Sequence, residues 1–133
     1  MDKRTVGWGA GILLIAVVLG AFGAHGLKPL LTPDALGQWR TGVEYQFYHG
    51  IGLLVIGFAG DRLRNRNLRI LRGLFVVGIV LFSGSLYLIA LRQVLGAQAL
   101  TSLAGPLTPL GGLAFIAGWC WLLVTALRAP SVP

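Results

Sequence analysis

Four long apolar stretches, separated by short polar segments, dominate the pattern of this chain. They run over residues 6–26, 41–59, 73–91 and 109–127. Each has about 20 residues, which at about 1.5 Å per residue crosses the ~30 Å hydrocarbon core of a bilayer. Backbone groups in lipid must be hydrogen-bonded within their own segment, so the stretches are predicted to be helices. The pattern predicts an all-α integral membrane four-helix bundle, with residues 1–133 forming a single transmembrane domain.

Residues between and within the stretches predict where helices begin and end. Pro33 follows Thr32, which predicts a helix that is capped by Thr32 and runs directly into the second stretch. Thr108 before a proline gives the same signal for the fourth stretch. Residues 61–72 are expected to form a short polar hairpin, and the Ser-Gly-Ser run at residues 83–85 is expected to break the third helix.

Composition and charge agree with a membrane environment. Apolar residues make up 56% of the chain and charged residues 11%, whereas a soluble domain has about 25% charged residues. The net charge is +7, and eight of the 11 Lys and Arg residues fall on the side that would carry both termini. These eight are Lys3, Arg4, Arg62, Arg64, Arg66, Arg69, Arg72 and Arg128. The bias predicts a multi-pass protein of the inner or plasma membrane with both termini cytoplasmic, and nucleic-acid binding is not expected.

Two further features bear on topology and chemistry. The basic N-terminus followed by an apolar run also fits a cleaved signal peptide, which would leave three spans with the two ends on opposite sides. Cys120 is the only cysteine, so an internal disulfide and a cysteine metal cluster are both excluded.

Small residues recur at helical spacing along the spans. These are Ala16, Gly20 and Ala24, then Gly7 and Gly11, and on the fourth span Ala114 and Gly118. Small residues on one face let helix backbones approach closely in lipid. The spacing predicts tight packing within the bundle and leaves open association with a second copy or with another membrane protein.

The second span contains the unusual polar residues. With Glu44 placed at 0° and about 100° per residue, Tyr48, Thr41, Gly52, Tyr45 and His49 follow within an arc of about 140°, and Gln46 lies outside it. A charge exposed to lipid costs several kcal/mol, so the arc is expected to face protein or water. His25 closes the first span at a height similar to that of Glu44.

Two interpretations of these polar residues remain open. In one, these side chains form an outward-facing pocket for a proton, a metal ion or a small ligand, with Arg40 or Arg92 as the counter-charge of Glu44. The candidate ligand-binding residues are His25, Glu44, Tyr45, Tyr48 and His49. In the other, they only hydrogen-bond the helices together.

No catalytic constellation, metal site or cofactor is expected from the sequence. The two histidines differ in depth by about 15 Å, which disfavours haem held by both, and too few ligands converge for zinc. The basic hairpin could bind anionic lipid head groups. Its arginines are Arg62, Arg64, Arg66, Arg69 and Arg72.

Four segments together resemble a known family. They are GAFGAHGL from Gly20, TGVEYQFYHGIGLL from Thr41, FSGSLYLIAL from Phe82 and PLGGLAFIAGW from Pro109. They are similar to the YgdD-like family of small membrane proteins of unknown function, which has eukaryotic relatives. The resemblance implies a four-helix inner-membrane protein and no established activity, substrate or cofactor. Its motif residues here include His25, Glu44, Tyr45, Tyr48 and His49.

The sequence therefore favours a non-enzymatic helical bundle that packs or assembles with other membrane components. The alternative is a small-solute, ion or proton-coupled carrier that uses the outward-facing pocket. The bilayer is the one partner the sequence identifies. The sequence does not identify a ligand, a protein partner, the oligomeric state or a direction of transport.

Overall fold

The computed structural model describes residues 1–128, and every regular element in that range is helical. The four long helices are α1 (Lys3–His25), α2 (Pro33–Phe58), α3 (Asn65–Leu91) and α4 (Leu107–Leu127). A 3₁₀ turn (Ala59–Arg62) precedes α3, and a short helix (Leu100–Ala104) precedes α4. The predicted all-α fold of four helices is confirmed. Each predicted stretch lies on one of these helices, and its last residue is within one residue of the end of that helix.

Within residues 1–128, three helical segments are long and apolar enough to cross a membrane: Lys3–His25, Asn65–Leu91 and Leu100–Leu127. The polar residues of α2 keep its mean hydropathy lower, but its position identifies it as the fourth span. The backbone N–H of Asp2, at the start of α1, donates to the carbonyl of Gly57, at the end of α2, over 2.8 Å. Because α1 crosses the bilayer, α2 must cross back to bring these ends together.

The helix boundaries confirm one predicted start and correct two other expectations. Helix α2 begins at Pro33, and the Thr32 hydroxyl accepts from the backbone N–H of Ala35 over 3.3 Å. Thr108 is not an N-cap, because α4 already begins at Leu107. The polar hairpin is shorter than expected, since α3 begins at Asn65.

Helix α3 does not break at the Ser-Gly-Ser run. It passes through a π-helical segment, Ile79–Ser83, and continues as an α-helix from Gly84. The i→i+5 hydrogen bonds of the π turn accommodate an extra residue while the backbone stays hydrogen-bonded, as a lipid environment requires. The hydroxyls of Ser85 and Thr108 lie 2.6 Å apart and link α3 to α4.

The central helices are α2 and α3, with α1 packed mainly on α2 and α4 mainly on α3. Glycines allow the α1–α2 contact to be close: a Cβ on Gly9 would lie 2.9 Å from Cδ2 of Leu54. Ala16 is fully buried in the same seam. Gly7 and Gly11 lie on the opposite face of α1, where a Cβ would meet no atom of residues 1–128 within 4 Å. Only part of the small-residue pattern is therefore used inside this chain.

Two apolar clusters fill the interior. One, nearer the chain termini, comprises Ile12, Leu53, Ile56, Leu71, Phe75, Ile79 and Phe115. The other, nearer the α1–α2 loop, comprises Leu27, Leu31, Ala35, Leu36, Trp39, Val43 and Ala90. Between them lie the buried polar residues of α2.

Candidate functional site

The buried face of α2 lies opposite Glu44. At about 100° per residue, Leu53 falls near 180° from Glu44 and Gln46 near 200°, and both are buried. Glu44 and Tyr48 are exposed. The expectation that the ionisable arc faces the interior is wrong for these two residues, because glycines and apolar side chains on the other face give the closest packing.

Gln46 lies at the centre of this buried face and joins three helices. Its amide Nε2 donates to the carbonyl of Ile12 on α1 over 3.0 Å. Its Oε1 accepts from the hydroxyl of Tyr87 on α3 over 2.8 Å. The sequence reasoning placed Gln46 outside the polar arc and missed this role. Its helical phase, shared with Gly42 and Leu53, is the signal that could have found it.

His49 is the predicted site residue that the structure does bury. Its Nδ1 lies 2.8 Å from the carbonyl of Tyr45, and its Nε2 lies 3.1 Å from the indole Nε1 of Trp119. The imidazole stacks on Phe115, with ring centroids 3.4 Å apart and an interplanar angle of 8°. Phe75 packs edge-on against the same ring. His49 therefore joins α2 to α3 and α4 in an aromatic box.

The structure does not bring the other predicted site residues together with His49. His25 is exposed at the C-terminal end of α1. Tyr48 is 56% exposed. Tyr45 is partly covered, with its ring 4.5 Å from that of Phe82. The predicted pocket is thus divided between an interior histidine and an outer face.

Neither expected counter-charge contacts Glu44. The guanidinium of Arg92 donates to Oε1 of Gln38 over 3.2 Å and to the carbonyl of Ile89 over 2.6 Å. Arg40 is exposed one turn before Glu44. Within residues 1–128, no cation lies within 4 Å of the Glu44 carboxylate. Glu44 and Arg40 line a cleft of about 210 Å³ between α1 and α2.

A second polar cluster joins the ends of three helices. Asp2 caps α1, accepting from the Arg4 N–H over 3.1 Å and from the Thr5 hydroxyl over 2.7 Å. The guanidinium of Arg72 donates to the Asp2 carboxylate over 3.3 Å and to the Thr5 hydroxyl over 3.1 Å. The hydrogen bond from the Thr5 hydroxyl has the largest effect and lowers the pKa of Asp2; burial opposes it, and the Arg4 amide, the charge of Arg72 and the Thr5 amide lower the pKa further. The N-terminal amine also pairs with Asp61.

This cluster changes the expectation for one lipid-binding candidate. Arg72 is occupied by Asp2 and Thr5, and its side chain is 16% exposed. Arg62, Arg64, Arg66 and Arg69 are exposed.

Among residues 1–128, no three His, Cys, Asp or Glu side chains lie close enough to hold a metal ion.

Comparison with known proteins identifies the family. The family model described as "Protein of unknown function (DUF423)" matches residues 19–112, which run from the second half of α1 to the first part of α4. The chain belongs to this family. The matched range includes Glu44, Gln46, His49 and Tyr87.

Several relatives match along nearly the whole chain. The UPF0382 membrane protein YwdK of Bacillus subtilis is 45% identical over 90% of this chain and 93% of its own length. The UPF0382 inner membrane protein YgdD of Escherichia coli is 39% identical over 86% of this chain and 82% of its own. A UPF0382 membrane protein of Haemophilus influenzae is 36% identical over 87% of each. No solved structure matches. The chain is therefore a membrane protein of this family, and the resemblance seen in its motifs is confirmed.

Proposed function

We propose that this chain is a non-enzymatic assembly protein, in which the exposed face of α2 that contains Glu44 packs against another membrane component. The observation that carries the proposal is the position of Glu44. Its carboxylate faces away from the bundle interior and has no cationic partner within 4 Å among residues 1–128. Ionisable residues in membrane spans almost always face protein or a water-filled cavity.

The depth of Glu44 makes this exposure costly. Helix α2 has 26 residues and is about 39 Å long, about 9 Å more than the hydrocarbon core. Glu44 lies about 17 Å from the start of the helix at Pro33 and about 21 Å from its end at Phe58. For a core that lies wholly within an upright α2, the backbone of Glu44 is at least about 8 Å inside it. A partner that covers Glu44 would remove this cost.

The rest of the outer α2 face suits contact with another helix. Ile51 and Val55 continue the face from Tyr48 toward the end of α2, and they are 51% and 60% exposed. Tyr48 supplies an aromatic ring with a hydroxyl, a combination that suits interfaces. We call Arg40, Glu44, Tyr48, Ile51 and Val55 the outer α2 face.

The interior polar groups support a structural role over a catalytic one. Both ring nitrogens of His49 are occupied by hydrogen bonds to Tyr45 and Trp119. Gln46 and Tyr87 are paired with each other. Their hydrogen bonds join α1, α2, α3 and α4, which is the role that polar side chains commonly have between membrane helices.

We further propose that the protein lies in the inner or plasma membrane with both termini in the cytoplasm. Contacts between Asp2 and Gly57 and between Asp2 and Arg72 gather the ends of α1, α2 and α3 at one side. Arg62 and Arg128 line one groove at that side. The excess of Lys and Arg there supports a cytoplasmic location. A reporter fused to the C-terminus tests this orientation.

Site-specific photo-crosslinking in native membranes tests the assembly proposal. The aromatic photo-crosslinker p-benzoylphenylalanine would replace Tyr48 on the outer α2 face. The control position is Val80, which is 64% exposed on α3. We expect a discrete protein adduct from position 48 that is absent from position 80. A doubled mass would identify a second copy, and any other mass would identify a different membrane protein.

A second variant connects the adduct to the carboxylate. Glu44→Gln keeps the shape and removes the charge, so we expect it to weaken the position-48 adduct while the unfolding temperature in detergent stays unchanged. Lipid adducts alone at position 48, or an adduct of equal yield in the Glu44→Gln protein, would contradict the proposal.

The alternative, a small-solute, ion or proton-coupled carrier, would depend on the same carboxylate. The cleft of about 210 Å³ beside Glu44, walled by Gly20, Gly23 and Ala24, is the observation that favours it. A proton or small cation bound there would neutralise Glu44 without a protein partner.

A further inference from the structure

A groove opens between α3 and α4 at the end of the bundle where α1 begins and α4 ends. It has a volume of about 650 Å³ and shares no lining residue with the outer α2 face. The 3₁₀ turn and the two residues that link it to α3 contribute Arg62, Leu63 and Arg64. The last turns of α4 contribute Trp121 and Val124, and Arg128 directly follows that helix. The groove therefore combines a basic rim with an apolar wall.

The rim is strongly positive and is not neutralised within the described chain. Among residues 1–128, none that lines the groove is acidic, and no carboxylate lies within 4 Å of Arg62, Arg64 or Arg128. The two ion pairs at this end use Asp2 and Asp61. A guanidinium matches a phosphate group in geometry and can donate two parallel hydrogen bonds to it.

The apolar wall runs from this rim into the membrane. Trp121, Val124 and Arg128 are spaced by three and four residues, so they share one face of α4. That face begins in the apolar part of the span and ends at Arg128, where the helix leaves it. Tryptophan is enriched at this level of a bilayer because its ring is apolar and its N–H is polar. A molecule with a phosphate at one end and acyl chains at the other fits this order of groups.

We propose that this groove binds an anionic phospholipid, with its phosphate-bearing head group held by Arg62, Arg64 and Arg128 and an acyl chain along Trp121 and Val124. Only some of the arginines in the basic hairpin belong to this site. Arg72 is bonded to Asp2, and Arg66 and Arg69 do not line the groove. Arg128, from the opposite end of the chain, completes the rim.

Native mass spectrometry of the full chain in a neutral detergent tests the proposal. The probes are phosphatidylglycerol, phosphatidylcholine and inorganic phosphate, each titrated in turn. We expect one phosphatidylglycerol to be retained per chain with an affinity at least tenfold above that for phosphatidylcholine. Inorganic phosphate at the same concentrations should not displace it. Displacement by phosphate alone would overturn the proposal by identifying a free-anion site.

Two variants with equal loss of charge separate a site from a general surface effect. Arg62→Gln/Arg64→Gln/Arg128→Gln removes the rim. Lys3→Gln/Arg66→Gln/Arg69→Gln removes three cations at the same end, outside the groove. We expect the first variant to weaken phosphatidylglycerol binding about fivefold per arginine and the second to leave it within about twofold. Equal weakening in both would overturn the proposal.

A single-residue pair covers the case in which a triple variant does not fold. Arg64→Gln and Arg66→Gln alter neighbouring exposed arginines, of which only Arg64 lines the groove. About fivefold weaker phosphatidylglycerol binding is expected for Arg64→Gln alone. The same affinity in both single variants would contradict the site.

Discussion

The indole nitrogen of Trp119 donates a hydrogen bond of 3.1 Å to Nε2 of His49 and so joins α4 to α2. An indole N–H can only donate, so Nε2 must accept. A carbonyl can only accept, so Nδ1 must donate to Tyr45 over its 2.8 Å contact. The two bonds together require a neutral imidazole with its proton on Nδ1. In this tautomer the face of the uncharged ring stacks on Phe115, while its two nitrogens bond to Tyr45 on α2 and to Trp119 on α4.

We expect Trp119→Phe to destabilise the bundle by about 0.5–1.5 kcal/mol, because His49 loses its donor inside the protein. Thermal unfolding in detergent would measure the change. Trp8→Phe is the matched control, since Trp8 is 51% exposed on α1 and has no hydrogen bond to lose among the described residues. Equal unfolding temperatures for Trp119→Phe and wild type would show that the bond does not hold α4.

The bond between Gln46 and Tyr87 gives a second prediction, which a double-mutant cycle measures. Gln46→Leu and Tyr87→Phe each remove one partner of a 2.8 Å hydrogen bond. We expect a coupling of about 0.6–1.7 kcal/mol between the two changes, which spans the average and the maximum measured for such bonds in a membrane protein. Tyr48→Phe, at an exposed hydroxyl, should change stability by less than about 0.5 kcal/mol. Strict additivity of the first two variants would contradict the coupling.

The number of long helices and the positions of their C-terminal ends followed from the sequence, because they depend on a local quantity, the apolar run of each span. The length of α3 did not, since the helix begins at Asn65, before its predicted stretch of 73–91. The buried face of α2 could not be predicted in this way. From the sequence, the face of Glu44 was expected to lie toward the interior, because charged side chains turn away from lipid. The structure instead buries the face that includes Gly42, Gln46 and Gly50, since close helix packing needs small residues.

Contacts between distant residues were also beyond a reading of local pattern. The pairing of Asp2 with Arg72 and the convergence of Arg62 with Arg128 depend on which helix ends become neighbours. The π segment at Ile79–Ser83 was anticipated only as a break, because the run Ser-Gly-Ser signals irregularity without its form. His49 was expected to face protein because an imidazole in a membrane span requires hydrogen-bond partners, and the structure buries it; its role in binding stays a prediction.

Two glycines of α1 give a matched pair for packing. A Cβ at Gly9 would lie 2.9 Å from Cδ2 and 3.0 Å from the backbone nitrogen of Leu54. A Cβ at Gly7 would meet nothing within 4 Å in the part of the chain that the structure describes. We expect Gly9→Ala to destabilise the protein by about 1–3 kcal/mol by separating α1 from α2. Gly7→Ala should be neutral or stabilise by up to about 1 kcal/mol, since alanine favours the helix. Equal effects would contradict the assigned faces.

Acid stability should depend on Asp2. Its folded-state pKa lies below the unfolded value of 3.8, so the carboxylate stabilises the fold above that value. This contribution is lost as the pH falls through the lower folded pKa. Asp2→Asn retains a capping side chain and removes the titration, so we expect lower stability than wild type near neutral pH and a smaller loss below about pH 4. Unfolding temperatures measured from pH 6 to pH 2 would show parallel curves if Asp2 were unimportant.

Replacement of Glu44 separates assembly from transport. Glu44 lies opposite the buried face of α2, so we expect Glu44→Gln to fold with an unfolding temperature within about 2 °C of wild type. Under the assembly proposal, the variant loses its partner adduct, and proteoliposomes of the isolated wild-type chain show no uptake that depends on this carboxylate. Under the carrier alternative, wild-type proteoliposomes take up a proton or a small solute and Glu44→Gln does not. Glu44→Asp is the deciding variant, since it keeps the charge and shortens the reach by one methylene. If Glu44 contacts a partner, the Glu44→Asp protein should lose most of the position-48 adduct. If Glu44 is the titrating group of a carrier, Glu44→Asp proteoliposomes should keep part of the uptake.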